Sequence, residues 1–158
     1  VSVEVAEHLP PECAEDFIHN LTRLSDVILF SAAIPNQIGD GHLNEQWPSY
    51  WVSLFKKQQF IVFDCLRSRI WNDARIRDWY RQNILIFINE DVLSFHPMMQ
   101  NMDCLSSAMI DMVHPGVWNR VVSNAYAWIE PSSLPPKKLL KALPQSLWRR
   151  LSKRNNKP

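Results

Sequence analysis

Glycine is scarce in this sequence of 158 residues, which contains only Gly39, Gly41 and Gly116. The sequence has neither a GxGxxG nor a GxxxxGK[ST] segment. Those segments form the glycine-rich turns on which α/β domains hold dinucleotides and nucleoside triphosphates. The sequence therefore excludes a self-contained dinucleotide-binding domain and a P-loop domain of the usual kind.

Cysteine patterns and long apolar runs are also missing. Cys13, Cys65 and Cys104 are odd in number and widely spaced, which indicates neither a disulfide framework nor a CxxC metal site and fits a reducing cytoplasm. The longest largely apolar run, residues 27–34, is far shorter than the roughly 20 residues of a membrane helix. Residues 1–5 lack the basic start of a signal peptide, so we expect a cytoplasmic protein.

The net charge of +1 conceals an uneven distribution. Residues 1–130 carry 9 Lys and Arg against 16 Asp and Glu, whereas residues 131–158 carry 8 basic residues and no acidic one. The default interpretation of this basic tail is a solvated, poorly ordered segment. The alternatives are a peripheral membrane contact through residues 137–154 or contact with a nucleic acid.

Apolar patterns predict an α/β body with a mostly parallel sheet over residues 1–90. The predicted strands are residues 1–5, 26–35, 60–66 and 83–89, and the predicted helices are residues 11–24, one beginning at Pro48 and a short one beginning at Asn72 or Asp73. Residues 91–130 are expected to form a helical extension, with a methionine-rich helix at 92–113 and a turn in the segment VHPGVWNR. A linker and a basic helix at 137–151 are expected to follow.

A Glu-x-x-Glu-His segment follows the first predicted strand. If Glu4 opens a helical turn, Glu7 and His8 share its face. His42 lies in the glycine-bearing loop after the next strand, whose end should lie beside the first. Two carboxylates and two imidazoles favour Mg²⁺, Mn²⁺, Fe²⁺ or Co²⁺. The alternative is structural: acidic groups near a helix start are stabilising in themselves, His8 could serve only to cap or to pack, and His42 could be an ordinary loop histidine.

Side chains near His42 could contact a substrate. Asn44 and Gln46 are candidate polar groups for orienting a substrate hydroxyl, and Trp47 is a candidate lining residue. Glu45 is interpreted as a solvated loop residue. The three later aromatic residues are assigned to packing: Trp71, Trp79 and Tyr80.

Residues 1–89 resemble the second half of a class I S-adenosylmethionine-dependent methyltransferase. The resemblance is carried by EVAEHL, DVILFSAAIP, GHLNEQWPSYW and WYRQN. It implies a three-layer, Rossmann-like sheet represented by strands four to seven, with the last two strands antiparallel. It also implies that the chain is the carboxyl-terminal part of a longer enzyme.

The resemblance also implies site residues. Methyltransferases that act on the terminal ribose of small RNAs, and those of ubiquinone biosynthesis, hold a divalent cation with a similar Glu-x-x-Glu-His segment. Glu4, Glu7 and His8 match that segment, and His42 matches the later histidine by its order in the chain. Glu7 and His42 are then the expected catalytic residues, and Ser2 and Glu4 are expected to contact S-adenosylmethionine.

The expected reaction is O-methylation of a small-molecule or sugar hydroxyl, assisted by Mg²⁺ or Mn²⁺. The sequence departs from the family because it lacks the glycine-rich turn that holds the methyl donor. The alternative is therefore a non-catalytic binding or assembly module, or a membrane or nucleic-acid binder that acts through the basic tail.

Overall fold

A computed structural model describes residues 1–95, 97 and 107–129 of the chain. The chain divides into two compact units, Val1–Val121 and Val122–Pro158. Within the described residues, no helix is both long and apolar enough to cross a lipid bilayer. The predicted linker beyond residue 129 and the basic helix at 137–151 lie outside the described residues.

The described chain contains four strands, five α-helices and several short 3₁₀ turns. The strands are β1 (Ser2–Val3), β2 (Val27–Ser31), β3 (Phe60–Phe63) and β4 (Leu85–Asn89). The helices are α1 (Ala14–Leu24), α2 (Pro48–Lys57), α3 (Arg67–Ile70), α4 (Asp78–Asn83) and α5 (Pro115–Ile129). The 3₁₀ turns are Ala6–His8, Pro11–Cys13, Glu90–Phe95 and Ser107–Met109.

The strands form one open, mixed sheet in the order β1-β2-β4-β3. β1 and β2 are parallel, whereas β4 is antiparallel to both β2 and β3. The α/β class and the antiparallel pairing of the last two strands are confirmed, but the expectation of a mostly parallel sheet is wrong. The physical reason lies between β3 and β4, where two helices of 4 and 6 residues replace the single long crossover helix that a parallel pair uses.

The core lies between one face of the sheet and the helices α1 and α2. Phe30, Phe87 and Phe55 meet there, with the rings of Phe55 and Phe87 stacked at a centroid distance of 3.7 Å. Trp51 on α2 is 2% exposed and lies against Phe30. Because burial of large aromatic side chains dominates core stability, this cluster fixes how β2 and β4 are held beneath the helices.

Two local predictions for residues 1–90 fail for identifiable reasons. The predicted first strand is shortened because Glu4 adopts a positive φ of 53°, which ends β1. The helix expected from Asn72 or Asp73 begins at Asp78, because the Asp73 carboxylate accepts the Arg75 backbone N–H (3.0 Å) and forms a local turn.

The segment VHPGVWNR, expected as a turn, contains the start of a helix. Pro115 takes the first helical position, where its missing N–H costs nothing. The helix expected at residues 92–113 falls partly outside the described residues. Within its described residues, Glu90–Phe95 and Ser107–Met109 are 3₁₀ turns and Pro97 is α-helical.

Candidate metal centre

The parallel pairing of β1 and β2 brings two chemically important segments together. Ser2 pairs with Phe30 and Val3 with Ser31, so the two strands end at the same edge of the sheet. The 3₁₀ turn Ala6–His8 follows β1, and the loop that carries His42 follows β2. This is the edge at which open α/β sheets place their ligands.

Three of the four predicted ligands converge at this edge. Glu7, His8 and His42 each offer one ligand atom, and these atoms all lie within 4.8 Å of one another. The rings of His8 and His42 are 4.9 Å apart and edge-to-face. The backbone carbonyl of Glu7 accepts hydrogen bonds from the N–H groups of Leu43 (2.8 Å) and Asn44 (3.0 Å), which fixes the loop beside the turn.

Glu7 is the most unusual of the three residues. Its side chain is 0% exposed, and neither carboxylate oxygen has a hydrogen-bond partner among the described residues. Burial raises the pKa of the Glu7 carboxyl above its ordinary value of 4.5, and the charge of Glu4 acts in the same direction. The nearness of the Glu7 backbone N–H and the charges of His42 and His8 act in the opposite direction and lower the pKa. Burial without a hydrogen-bond partner thus disfavours the ionised form of this carboxyl unless a cation pairs with it.

Both histidines are oriented through Nδ1. The Nδ1–H of His8 donates to the backbone carbonyl of Gly41 (3.2 Å), since a carbonyl can only accept. The Nδ1–H of His42 donates to Glu45 (2.7 Å). In each ring the Nε2 atom is then the nitrogen with a free lone pair. Metal-binding histidines characteristically use their second nitrogen in this way, bonded to a carbonyl or a carboxylate.

Glu45 organises the loop as well as His42. Its carboxylate accepts the backbone N–H groups of Asn36 (2.8 Å) and Ile38 (3.0 Å). Both residues have positive φ angles, 66° and 60°, which is unfavourable for a β-branched residue such as Ile38. The interpretation of Glu45 as a solvated loop residue missed this role, because the three donors come together only in the folded loop.

Two of the three glycines help to position the rings of His8 and His42. A Cβ atom on Gly39 would lie 2.1 Å from Nε2 of His42, so any other residue here would displace the ring. Gly41 has a φ of +75°, a conformation that glycine adopts readily, and this places its carbonyl against His8.

Glu4 lies outside the three-residue group. The helical turn begins at Ala6 instead of Glu4, and the positive φ of Glu4 interrupts the helical spacing from which a shared face was predicted. Its backbone N–H is held by the carbonyl (3.0 Å) and hydroxyl (3.1 Å) oxygens of Ser31. Its carboxylate accepts hydrogen bonds from Gln37 (3.1 Å) and Asn83 (3.2 Å).

Ser2, the other residue expected to contact the methyl donor, is buried in β1. Its side chain is 6% exposed, and its hydroxyl has no hydrogen-bond partner within the described part of the chain. Contact of Ser2 and Glu4 with a methyl donor stays a prediction.

The cluster forms part of the wall of a cavity of about 260 Å³. The residues that line it are Glu4, Glu7, His8, Gln37, Ile38, Gly39, His42, Trp79, Tyr80 and Arg120. Trp79 and Tyr80, assigned to packing from the sequence, line this space, and Arg120 was not singled out at all. Each is far from the cluster in sequence, and no local pattern points to it.

The predicted substrate-lining residues are not among the lining residues of this cavity. Asn44 is 2% exposed, and its side-chain oxygen accepts a hydrogen bond from Gln46 (2.9 Å). Its backbone N–H anchors the carbonyl of Glu7. Trp47 is 40% exposed at the start of α2. The structure thus gives Asn44 a role in holding the loop, while contact of these three residues with a substrate stays a prediction.

Comparisons with known proteins add no relative. No protein-family model matches the chain, and neither a curated protein nor a solved structure matches it. The methyltransferase resemblance of residues 1–89 stays a prediction.

Proposed function

We propose that Glu7, His8 and His42 bind a divalent metal ion, and that this site serves S-adenosylmethionine-dependent methylation of a small-molecule or sugar hydroxyl. The observation that carries the metal proposal is the buried Glu7 carboxylate, whose oxygens have no partner among the described residues. Two imidazole rings beside it are each held through Nδ1, with Nε2 available for ligation.

The donor atoms fit a transition-metal ion. One carboxylate and two imidazoles suit Mn²⁺, Fe²⁺, Co²⁺ and Zn²⁺. Because Glu4 is bound to amide groups instead of joining the cluster, the set contains less oxygen than the sequence predicted. Mg²⁺ prefers an octahedral shell of oxygen ligands, so we expect it to bind more weakly than Mn²⁺.

Support for methyl transfer is of a different kind. The resemblance of residues 1–89 implied an antiparallel final pair of strands, and β3 and β4 pair in that way. The site lies beyond the carboxyl ends of β1 and β2, where the resemblance places donor and acceptor. S-adenosylmethionine supplies an electrophilic methyl group when it is bound.

The residues of the chain have distinct parts in this proposal. A bound divalent cation lowers the pKa of a hydroxyl that it contacts, which supplies a better nucleophile. Glu7, His8 and His42 hold that cation, and Glu45 and the Gly41 carbonyl orient the two imidazoles. Gln37 and Asn83 hold the Glu4 carboxylate at the cavity wall, close to the strand end where the donor is expected.

Metal titration tests the first half of the proposal. The chain is titrated with Co²⁺, followed by visible absorption, and with Mn²⁺ and Zn²⁺, followed by calorimetry. We expect one saturable site in the wild-type chain and none in Glu7→Gln or His42→Ala. His19→Ala is the matched control, because His19 lies on α1 and bonds to Gln58 away from the cluster. Equal affinity in wild type and Glu7→Gln would contradict the metal site.

Calorimetry with S-adenosylmethionine tests the second half. Binding by the chain, with or without Mn²⁺, supports the methyltransferase proposal. Metal binding without any donor binding by this chain favours the alternative, a non-catalytic metal-binding module. The two halves therefore fail separately.

A further inference from the structure

The cavity that is lined by Glu7, His8 and His42 has a second group of lining residues, which lie on α4 and α5. Trp79 and Tyr80 lie on α4, and Arg120 lies on α5. The Arg120 guanidinium carbon is 4.9 Å from the centroid of the Trp79 ring, within the range of a cation–π contact. Its Nη1 atom donates to Asp78 (3.2 Å). Arg120 is thus held at the cavity by one carboxylate and one aromatic ring.

The start of α5 is built for this placement. Gly116 lies in the first turn of α5, and a Cβ atom there would lie 2.9 Å from the Asp78 carboxylate. The glycine therefore lets the helix approach Asp78 closely. Arg120 follows Gly116 by four residues, so both lie on the same face of α5, towards α4.

Two hydrogen-bond donors of Arg120 are unused. Nε and Nη2 are enclosed by protein, and neither has an acceptor among the described residues. An enclosed charged donor without an acceptor is unfavourable. Nε and Nη2 together form one edge of the guanidinium, and such an edge binds a carboxylate or a phosphate through two parallel hydrogen bonds. The two unpaired donors on this edge therefore match the hydrogen-bond acceptors of an oxyanion.

We propose that Arg120 is an anion-binding residue of the cavity, and that the molecule bound there is a small compound carrying a phosphate or carboxylate group. The cavity volume of about 260 Å³ is sufficient for a small molecule. Trp79 and Tyr80 offer apolar ring surface to the remainder of that molecule. The identification of this compound as the hydroxyl-bearing methyl acceptor rests on the function proposed above.

Charge in the cavity predicts a coupling between the anion and the metal. The Glu4 carboxylate lines the same space as Arg120 and repels an incoming anion. A divalent cation on Glu7 offsets that repulsion. We therefore expect Mn²⁺ to strengthen anion binding, and the anion to strengthen Mn²⁺ binding by the same factor.

Calorimetric titration with two probes, inorganic phosphate and acetate, tests the proposal at constant ionic strength. Each is titrated into the metal-free and the Mn²⁺-loaded chain, and the stronger probe identifies the group. Arg120→Gln should weaken binding by about tenfold or more, the usual effect of losing a hydrogen bond to a charged group. Arg77→Gln is the matched control, because Arg77 also lies 5.5 Å from the Trp79 centroid but does not line the cavity.

Three outcomes overturn the proposal: no binding of either probe with or without Mn²⁺, equal binding by wild type and Arg120→Gln, or equal loss in Arg77→Gln. Arg120→Lys keeps the charge but loses the two-donor edge, and it carries the test if Arg120→Gln does not fold. Phosphate or acetate binding by a chain that binds no metal leaves this inference standing and removes the proposed function. If the chain binds metal but Arg120→Gln binds the anions as well as wild type does, the metal proposal stands and this inference is removed.

Discussion

Two buried charged groups in this molecule differ sharply in how they are paired. Arg67 is 0% exposed and Asp64 is 3% exposed, and the Arg67 guanidinium donates through Nε to Asp64 (2.8 Å) and through Nη2 to its second oxygen. Its Nη1 donates to the carbonyls of Gln82 (3.2 Å) and Ile110 (2.9 Å). Glu7 is equally buried, yet its carboxylate has no partner in the described chain.

The difference distinguishes a charge with a structural role from the charge that we propose binds a metal ion. The Asp64–Arg67 pair ties the end of β3 and the start of α3 to two distant carbonyls, and every nitrogen of the guanidinium has a hydrogen-bond partner. Glu7 is surrounded by groups that orient towards it but do not neutralise it, since both imidazoles donate elsewhere through Nδ1. Burial alone is therefore not our reason for proposing a ligand site at Glu7; the reason is burial combined with unmet bonding beside two imidazoles.

The largest expected effect concerns the paired group. Arg67→Met leaves the Asp64 carboxylate buried without its partner, and we expect a loss of about 3–5 kcal/mol in the free energy of unfolding, measured by urea denaturation. The double variant Asp64→Asn with Arg67→Met should recover part of this loss, because no charge then remains buried. A loss below about 1 kcal/mol in the single variant would show that the pair is not the structural tie described here.

A smaller effect is expected at the group that orients His42. Glu45→Gln removes the ionised acceptor from Nδ1 of His42 and weakens the hold on the loop at Asn36 and Ile38. We expect metal affinity to fall about 10–100-fold, as is typical when a partner of a ligating histidine is lost. Titration with Co²⁺ measures this change.

The control for that variant is Glu15→Gln. Glu15 forms an exposed ion pair with Lys57 on another part of the surface, so its neutralisation should leave metal affinity unchanged. Equal metal affinity in Glu45→Gln and wild type would show that the hydrogen bond to His42 is incidental to metal binding.

The part of the site that depends on neighbouring sequence was predictable, and the part that depends on long-range contacts was not. The strand after Asp26, the helix at Pro48 and the meeting of His42 with the Glu-x-x-Glu-His turn follow from apolar runs, a proline and the adjacency of parallel strands. The left-handed turn at Glu4 breaks the helical spacing, and a sequence pattern gives no sign of it.

Arg120 and Asn83 illustrate the long-range part. Asn83 reaches Glu4 across 79 positions, and Arg120 reaches Asp78 across 42. Each contact depends on how segments distant in sequence pack together, and the start of α5 was predicted from the sequence to be a turn. Side chains brought in by such packing carry no motif, which is why the anion-binding part of the cavity emerged only from the structure.

The smallest expected effect is on the pH dependence of the free energy of unfolding, and it concerns Glu7, the unpaired buried group that contrasts with Arg67. In the metal-free chain the pKa of Glu7 is raised by burial, so folding favours its protonated form. Its contribution to stability is fully present below its ordinary pKa of 4.5 and is lost as the pH rises through the raised value. Glu7→Gln cannot ionise, so the pH-dependent loss should be missing from its free energy of unfolding.

Urea denaturation of the wild-type chain and Glu7→Gln across this pH range, without metal, isolates the Glu7 contribution as the difference between the two curves. Saturating Mn²⁺ should reverse the sign for the wild type, because the cation favours the ionised carboxylate and stabilises the fold more as the pH rises. If wild type and Glu7→Gln show the same pH dependence of unfolding free energy with and without Mn²⁺, neither burial nor the cation affects the ionisation of Glu7. The contrast between a paired and an unpaired buried charge would then not extend to function.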